Sequence, residues 1–450
     1  MLLAIDWSVV GIKAGQLILC LSILVILHEM GHFLPARWFK CRVEKFYLFF
    51  DPWFSLFKKK IGETEYGVGW LPLGGYVKIA GMIDESMDKE QLKQPPQPWE
   101  FRSKPAWQRL IIMIGGVTVN LILGFLIFGM VLFVWGEEFL PMKNVTYGVF
   151  PDSLGQKIGI KDGDKIIGYD GKVVDNFEKL PMELILNEGK TLDIDRDGQR
   201  VVLPIPEGTV RSMIKRKSEP LIYPKYPAVV DSVDNKIAVF KEGRLQPGDQ
   251  IIGFEGKEVR SYPELIYLKR PYKSKEVSLK VLRGSDTANI RVVLNDEGNI
   301  GFFPRKIMNY LKLEKKEYGF FESLPAGVEK GWNTLTMNVK NFKLLFTSKE
   351  VKASESLGSF ISIGGMFSSN WDWEKFWTMT ALLSIVLAFM NILPIPALDG
   401  GHVIFTIYEM ITKSRPSEKF MEYAQMTGMV LLLGLMAYAL GLDIFRVFRG

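Results

Sequence analysis

The residues from Ala14 to Ala36 read AGQLILCLSILVILHEMGHFLPA and contain a single charged side chain, Glu29. An α-helix rises about 1.5 Å per residue, so about 20 apolar residues are enough to cross the hydrocarbon core of a bilayer. We therefore predict a membrane-spanning helix here. The pentapeptide HEMGH at 28–32 adds three polar side chains to the end of that helix.

Three further stretches of the chain have no charged side chain. They lie between Arg109 and Glu137, between Lys375 and Asp399, and between Glu422 and Asp443. Each is long enough to cross a bilayer, so the sequence predicts four spans. The uneven charge excludes a wholly soluble or disordered protein, and two cysteines among 450 residues exclude a disulfide scaffold.

Basic residues indicate how the chain is oriented in the bilayer. Lysine and arginine are concentrated in the segments 37–106 and 404–422, which the positive-inside rule places in the cytoplasm. The long segment 136–375 is then on the opposite side. Because Asp6 precedes Lys13, the start lacks the basic region of a signal peptide, and we expect the first span to be retained. The net charge of +6 includes no dense basic block, so no nucleic-acid partner is expected.

The large polar segment contains an internal repeat. Residues 161–174 read KDGDKIIGYDGKVV, and residues 246–259 read QPGDQIIGFEGKEV. Each copy has a Gly-Asp turn, an apolar strand and a second glycine turn, and in this it resembles a PDZ domain. The resemblance implies two β-rich PDZ domains, at 136–220 and 221–310. Peptide binding does not follow from the fold alone.

An amphipathic helix is predicted over 320–350, within the segment 311–375. Trp332, Leu335, Val339 and Phe342 recur at helical spacing. We expect this apolar face to pack on the PDZ pair or on the membrane surface.

The pentapeptide at 28–32 is an H-E-x-x-H motif, and it holds two of the three histidines in the chain. On a helix, His28 and His32 lie on one face about 6 Å apart along the axis, where both can bind one zinc ion. Glu29 then stands beside the metal, where it can accept a proton from water. The alternative is a buried polar cluster that joins helices.

A third zinc ligand must come from another part of the chain. The stretch NILPIPALDGGH at 391–402 places two prolines in a span, directly before an aspartate and a histidine. Broken backbone at membrane depth is tolerated where it lines a protein or water cavity. On chemistry alone, Asp399 and His402 are both candidate ligands.

These motifs, in this order, resemble the site-2 protease family of intramembrane zinc metalloproteases, and most closely its bacterial regulator of sigma-E protease branch. The resemblance implies that His28, His32 and Asp399 bind Zn²⁺, that Glu29 is catalytic and that Asn391 handles the substrate. His402 is then a neighbour of the site. Two departures stand out: Gly116-Val117-Thr118-Val119-Asn120 lacks the proline that relatives often carry, and FFDP at 49–52 replaces a G-F-G-like reentrant turn.

The resemblance also implies a substrate class and a location. The substrates would be single-span membrane proteins cut within their transmembrane segments, such as a trimmed anti-sigma factor in a stress response, and remnant signal peptides. The protein would lie in the bacterial inner membrane, with the PDZ pair on the periplasmic side acting as a gate and the active site toward the cytoplasm. A β-hairpin predicted over 63–80, with Gly74 and Gly75, would hold the unwound substrate at its edge.

The predicted organisation follows from these assignments. It comprises a first span with H-E-x-x-H at 1–36, a cytoplasmic-side loop with a membrane-reentrant β element at 37–106, a second span at 107–135, PDZ domains at 136–220 and 221–310, an amphipathic helix and linker at 311–375, a third span with the L-D-G motif at 376–403, a cytoplasmic loop at 404–422, and a fourth span with the C-terminus at 423–450. Two other functions remain: a membrane-anchored PDZ scaffold with a non-catalytic zinc site, and a metal transporter.

Overall fold

The computed structural model describes residues 6–72, 74–82, 95–215, 220–234, 237–347 and 359–449. The chain divides into two compact units. The first comprises Met1–Gly136, Glu317–Lys343 and Leu357–Gly450, and the second comprises Glu137–Lys316 and Leu344–Ser356.

The α-helices, in chain order, are α1 (Trp7–Trp38), α2 (Ala106–Trp135), α3 (Ser153–Ile158), α4 (Leu180–Leu186), α5 (Thr209–Lys215), α6 (Tyr262–Lys269), α7 (Phe320–Thr347), α8 (Phe360–Gly365), α9 (Trp373–Ile392), α10 (Asp399–Thr412) and α11 (Glu418–Arg449). The strands are β1 (Val43–Leu48), β2 (Phe50–Ile61), β3 (Thr64–Leu71), β4 (Tyr76–Ile79), β5 (Glu137–Phe139), β6 (Val149–Pro151), β7 (Lys165–Tyr169), β8 (Lys172–Val173), β9 (Thr191–Arg196), β10 (Gln199–Pro204), β11 (Ile222–Pro224), β12 (Val230–Val233), β13 (Val239–Glu242), β14 (Gln250–Phe254), β15 (Lys257–Glu258), β16 (Glu276–Arg283), β17 (Asp286–Val293), β18 (Phe302–Pro304) and β19 (Glu314–Lys316).

Four helices in the described part of the chain are long and apolar enough to cross a membrane. They are α1, α2, α9 and the segment Lys419–Phe445 of α11. Their apolar side chains remain largely exposed outside the helix contacts, as expected where lipid rather than water surrounds them. The prediction of four apolar helices combined with β-sheets is confirmed.

The helices α1 and α2 pack through small residues. Gly31 of α1 and Gly115 of α2 face each other so closely that a methyl group built on Gly31 would lie 2.7 Å from the Gly115 carbonyl carbon. Close backbone approach through glycine is typical of helix pairs in membranes. The contact lies inside the H-E-x-x-H motif and brings α2 directly against the two histidines.

The sheet after α1 differs from the predicted hairpin over 63–80. Its strand order is β2-β3-β1-β4, so β3 and β4 both pair with β1 and not with each other. The strand β1 runs parallel to β3 and antiparallel to β4, and the true hairpin joins β2 to β3. The hairpin prediction was therefore wrong, because it joined neighbours in sequence and missed the earlier strand that lies between them. Leu73 of that segment lies outside the described residues.

The prolines at 394 and 396 separate two helices. Helix α9 ends at Ile392, and Asp399 is the first residue of α10. Proline cannot donate the backbone hydrogen bond that would continue α9. Residues 404–412, predicted to be a loop, continue α10.

Helix α7 packs on α2, within the same compact unit. A methyl group built on Gly327 would lie 2.6 Å from the Gly129 Cα atom, and one built on Gly331 would lie 2.7 Å from the Phe125 Cε1 atom. The amphipathic helix is thus present as predicted, and its glycines lie against a membrane helix. Packing of its apolar face on the PDZ pair or on the membrane surface stays a prediction.

The second unit contains the two repeats. Strands β7 and β8, helix α4 and the hairpin β9–β10 recur as β14, β15, α6 and the hairpin β16–β17. The first sheet has the order β10-β9-β7-β8, and the second has the order β13-β17-β16-β14-β15. Each repeat buries its own apolar core. Their assignment as PDZ domains stays a prediction.

The Gly-Asp pair of each repeat forms the same turn. Gly163 and Gly248 both have φ of 93°, a conformation that side chains rarely adopt. The following aspartate is buried and accepts two hydrogen bonds from an arginine in the sheet, Asp164 from Arg196 and Asp249 from Arg283. The motif is thus explained by folding and not by catalysis.

Candidate metal centre

His28 and His32 lie on one face of α1, one turn apart. Both side chains are largely buried, with 12% and 8% of their surface exposed. The rings meet edge to face with their centroids 4.8 Å apart. The helix therefore directs both Nε2 atoms toward one point.

Asp399 completes a nearly equilateral triangle of ligand atoms. The His28 Nε2 atom lies 3.3 Å from His32 Nε2 and 3.3 Å from Asp399 Oδ2, and His32 Nε2 lies 3.4 Å from Asp399 Oδ2. Ligands bound about 2.0–2.1 Å from a tetrahedral zinc stand about 3.3 Å apart. The three residues therefore fit a zinc ion without rearrangement.

The surroundings of Asp399 support the same conclusion. Its Oδ2 atom is buried and, within the described residues, makes no hydrogen bond. Burial of a carboxylate oxygen without a hydrogen bond costs folding free energy unless a cation faces it. Among the His, Cys, Asp and Glu side chains that the structure describes, this is the one group of three whose ligand atoms converge closely enough to hold a metal ion.

The turn between the prolines and α10 places Asp399 at the site. Ala397 adopts a φ of 84°, and its amide donates a 3.2 Å hydrogen bond to Gln425 Oε1 of α11. Gly401 packs directly on the turn, since a methyl group built on it would lie 2.8 Å from the Pro396 Cα atom. The Gly-Gly pair after the aspartate is thus needed for the close turn that brings its carboxylate to α1.

His32 is oriented by the backbone of α2. Its Nδ1 atom lies 2.8 Å from the Ile112 carbonyl oxygen, which can only accept a hydrogen bond. The proton is therefore on Nδ1, and Nε2 keeps its lone pair for a metal. This is the usual outer-shell arrangement of zinc-binding histidines.

Two asparagines contact His28. The Asn120 amide nitrogen lies 3.2 Å from His28 Nδ1, and the Asn391 amide nitrogen lies 3.2 Å from His28 Nε2. The structure thus brings Asn391, predicted from the resemblance, to the edge of the ligand triangle. Asn120 lies behind the ring, on the side away from the triangle.

Glu29 is partly buried and interacts electrostatically with both histidines and with Asp399. The loop before β4 comes close to Glu29. A methyl group built on Gly75 would lie 3.5 Å from Glu29 Cγ and 2.6 Å from the Tyr47 carbonyl oxygen. Gly74 has a φ of 148° and packs against the Phe50 ring. The two glycines therefore allow β4 to start directly against α1 at Glu29.

His402 is not part of the ligand triangle. It lines a small cavity with Arg102, Arg109 and Glu409, where Arg109 pairs with Glu409. The structure therefore separates the two candidates that the sequence left open: Asp399 reaches the histidines, and His402 faces another part of the unit.

Several residues that hold the site were not predicted from the sequence. The Ile112 carbonyl orients His32, and Gly116 makes room for both rings, since a methyl group built on it would lie 2.6 Å from His28 Cε1. Asn120 entered the sequence-based prediction only as the end of a segment that lacks a proline common in relatives. The available sequence signal is an asparagine in the middle of an apolar span, because polar side chains there are costly and usually functional.

A triangle of two histidines and a carboxylate beside a glutamate, set among apolar helices, defines a membrane-embedded metalloprotease. The family model described as "Peptidase family M50" matches residues 16–435, and the chain belongs to this family, the site-2 proteases. It is a zinc metalloprotease.

The chain aligns with several named relatives over nearly the whole length of each. The chain is 28% identical to a "Putative zinc metalloprotease" of Thermotoga maritima and 29% identical to the "Regulator of sigma E protease" of Haemophilus influenzae, and each comparison covers 96% of this chain and 98% of the relative. It is 26% identical to the "Regulator of sigma-E protease RseP" of Escherichia coli, with the same coverage. The resemblance stated from the motifs is confirmed.

Proposed function

We propose that this protein cleaves the transmembrane segments of single-span membrane proteins, with His28, His32 and Asp399 as zinc ligands and Glu29 as general base. The observation that carries the proposal is the ligand triangle, whose sides of 3.3–3.4 Å match a tetrahedral zinc site and which lies among apolar helices. When bound, zinc supplies a Lewis acid that polarises the scissile carbonyl and acidifies water.

The protein's own residues then carry the proton and hold the peptide. Glu29, beside the triangle, accepts the proton of the attacking water and passes it to the leaving amine. The Asn391 amide lies at the rim of the triangle, where it can hold an extended backbone by hydrogen bonds. Both roles need a substrate whose helix has unwound, because helical carbonyls are already hydrogen-bonded.

The edge strand β4 is the proposed docking strand for that substrate. It lies at one edge of its sheet and begins next to Glu29, after Gly74 and Gly75. An extended segment added to this edge would satisfy its own backbone groups while it lies beside the metal. Phe50-Asp51-Pro52 begins β2, in the hairpin that β1 separates from β4.

The decisive experiment compares purified wild type, Glu29→Gln and the control Glu63→Gln on a single-span test substrate in detergent, with zinc content measured for each. Glu63 is exposed at the β2–β3 turn. We expect one zinc in all three and cleavage by wild type and Glu63→Gln. We expect Glu29→Gln to lose at least about 100-fold in rate, the lower range for a general base.

Cleavage at the wild-type rate by Glu29→Gln would refute the mechanism. Zinc bound by a wild type that cuts neither the intact nor a trimmed test substrate would favour a membrane-anchored scaffold with a non-catalytic metal site.

We further propose that the protein lies in the inner membrane with the two repeats, assigned as PDZ domains, on the periplasmic side. There they would exclude substrates that carry a large external domain, so that a trimmed anti-sigma factor or a remnant signal peptide enters and an intact protein does not. The basic segments 37–106 and 404–422 support this orientation.

One pair of substrates tests the orientation and the gate together. The same folded domain is fused either to the periplasmic or to the cytoplasmic end of a single-span substrate and expressed in cells with the protease. We expect the periplasmic fusion to block cleavage and the cytoplasmic fusion to permit it. Equal cleavage of both would contradict the gate, and the reverse pattern would contradict the orientation.

A further inference from the structure

Asn120 is a fully buried polar side chain in the membrane helix α2, with 0% of its surface exposed. Its position is well defined, because its backbone carbonyl accepts a 2.7 Å hydrogen bond from Ser384 Oγ of α9. It lies one helical turn after Gly116, which packs against both histidine rings. Asn120 therefore supports His28 from behind.

The hydrogen bonding of this amide is incomplete. The Nδ2 atom lies 3.2 Å from His28 Nδ1, whereas the Oδ1 atom is buried and has no partner among the described residues. The opposite ring nitrogen, His28 Nε2, lies 3.3 Å from Asp399 Oδ2 and 3.2 Å from the Asn391 amide nitrogen at the rim of the triangle. The two nitrogens of one imidazole thus face an amide on one side and the ligand triangle on the other.

A neutral imidazole carries one proton, and its location decides whether Nε2 can bind a metal. An amide N–H that donates to Nδ1 requires the proton to be on Nε2, inside the triangle. If the amide oxygen faces Nδ1 instead, it accepts the Nδ1 proton and leaves the Nε2 lone pair free. Asparagine offers a donor and an acceptor in the same plane, so a half-turn of the amide serves both tautomers.

We propose that Asn120 is a positioning residue that selects the tautomer of His28. Its amide oxygen accepts the Nδ1 proton when zinc is bound, and its amide N–H donates to Nδ1 when the metal is absent. His32 differs, because the Ile112 carbonyl can only accept and holds one tautomer in both states. The inference rests on the zinc site of the proposed function.

Zinc affinity tests this role directly. The dissociation constant is measured by chelator competition in detergent for wild type, Asn120→Leu, Asn120→Asp and the control Thr118→Leu. Thr118 is exposed on the same helix, and its hydroxyl bonds the Ile114 carbonyl. Loss of an outer-shell partner costs about 10–100-fold in metal affinity, so we expect that loss for Asn120→Leu. We expect wild-type affinity or tighter binding for Asn120→Asp, which keeps the acceptor, and no change for Thr118→Leu.

Kinetics separate positioning from substrate contact. At saturating zinc, Asn120→Leu should regain most of its kcat with an unchanged KM. A raised KM with unchanged zinc affinity would mean that Asn120 touches substrate, and a zinc affinity within twofold of wild type would overturn the proposal. Weak zinc binding by Asn120→Asp would also overturn the proposal, because a hydrogen-bond acceptor at this position would then not be enough to support zinc binding by His28.

Two checks keep the result interpretable. If Asn120→Leu does not elute as a folded monodisperse species, Asn120→Ala replaces it with the same expected loss, since the smaller side chain fits the same space. Glu29→Gln distinguishes the two proposals, because it should lose cleavage and keep wild-type zinc affinity. Failure of the general-base mechanism would therefore leave the tautomer result unaffected.

Discussion

At the scale of single residues, the metal centre depends on the backbone and small side chains of α2 as much as on its ligands. The Ile112 carbonyl fixes His32, Asn120 faces His28, and Gly116 lies against both rings. A triangle with sides of 3.3–3.4 Å has little tolerance, since a displacement of one ring changes two of its three sides. Residues that bind no metal therefore determine whether the site forms.

Gly116→Ala tests how closely α2 must approach. A methyl group there would lie 2.6 Å from His28 Cε1, so the ring has to move out of the triangle. We expect zinc affinity to fall by about 10-fold or more, as for other changes behind a metal ligand. The measurement is zinc retained after dialysis against a chelator.

Gly124→Ala is the matched control, because it lies on the same helix and its added methyl group would meet Ile385 Cδ1 at 2.6 Å, the end of a flexible side chain. It should keep its zinc. Equal zinc loss in both variants would show that the effect comes from the helix packing in general.

At the scale of elements, helix α7 is attached to α2 by glycine contacts. Gly327 lies against Gly129, and Gly331 lies against the Phe125 ring. An amphipathic pattern alone predicts a helix with an apolar face, but it does not say what that face meets. The partner is decided by which neighbouring helix also offers a small residue at the crossing point.

Gly327→Ala should therefore destabilise the first unit. Its methyl group would lie 2.6 Å from the Gly129 Cα atom, and backbone cannot move aside as a side chain can. Overpacking of this kind costs about 1–3 kcal/mol. Thermal unfolding of the full chain in detergent should show a lower midpoint.

Gly434→Ala provides the comparison for the helix as such. Apart from its chain neighbours and its own helix backbone, no atom of the described residues lies within 4 Å of a methyl group built there, in α11. Alanine is favoured over glycine in helices by about 1 kcal/mol, so this variant should keep or raise the midpoint. If Gly327→Ala and Gly434→Ala unfold at the same midpoint, the contact between Gly327 and Gly129 does not limit stability.

At the scale of the whole molecule, the two units differ in where their apolar side chains lie. The membrane helices of the first unit leave much of their apolar surface exposed, as expected for a lipid surrounding, and His28, His32 and Asp399 converge among them. The second unit buries a separate apolar core in each repeat and closes each Gly-Asp turn with an Asp–Arg pair. Acid should affect the second unit through the Asp249–Arg283 pair.

Asp249 determines the sign of that effect. Burial alone would raise the pKa of its carboxyl group, but hydrogen bonds from Arg283 and from the Gln246 amide outweigh burial and hold the pKa below its usual value. A lowered folded-state pKa contributes stability above the unfolded value of about 3.9, and this contribution is lost as the pH falls through the folded value. The second unit should therefore lose stability below about pH 4.

Asp249→Asn checks this in the full chain. Hydrogen bonds to a charged group contribute about 1.5–3 kcal/mol, so the unfolding midpoint at pH 7 should fall by roughly 5 °C, and the difference from wild type should shrink at pH 3. Asp296→Asn, at an exposed position, is the control and should match wild type at both values. A difference that stays constant with pH would exclude the ionised carboxylate as the cause.

The sequence alone determined the features that depend on local geometry. Uncharged stretches identify the four apolar helices because the length of a span is set by the bilayer, and the H-E-x-x-H spacing aligns His28 with His32 because a helix turns every 3.6 residues. The Gly-Asp repeat predicted two related β-rich parts for the same reason, since a turn is a local structure. The family followed from these motifs and their order.

Only the tertiary structure decided what meets across long separations. Asn391 contacts a residue 363 positions earlier, and the choice of Asp399 over His402 depends on how the proline-containing turn folds against α1. The strand β1 lies between β3 and β4 because pairing depends on the whole sheet and not on order in the chain. Asn120, Gly116 and the Ile112 carbonyl become part of the metal centre only because two helices approach through Gly31 and Gly115, a contact whose geometry no local pattern specifies.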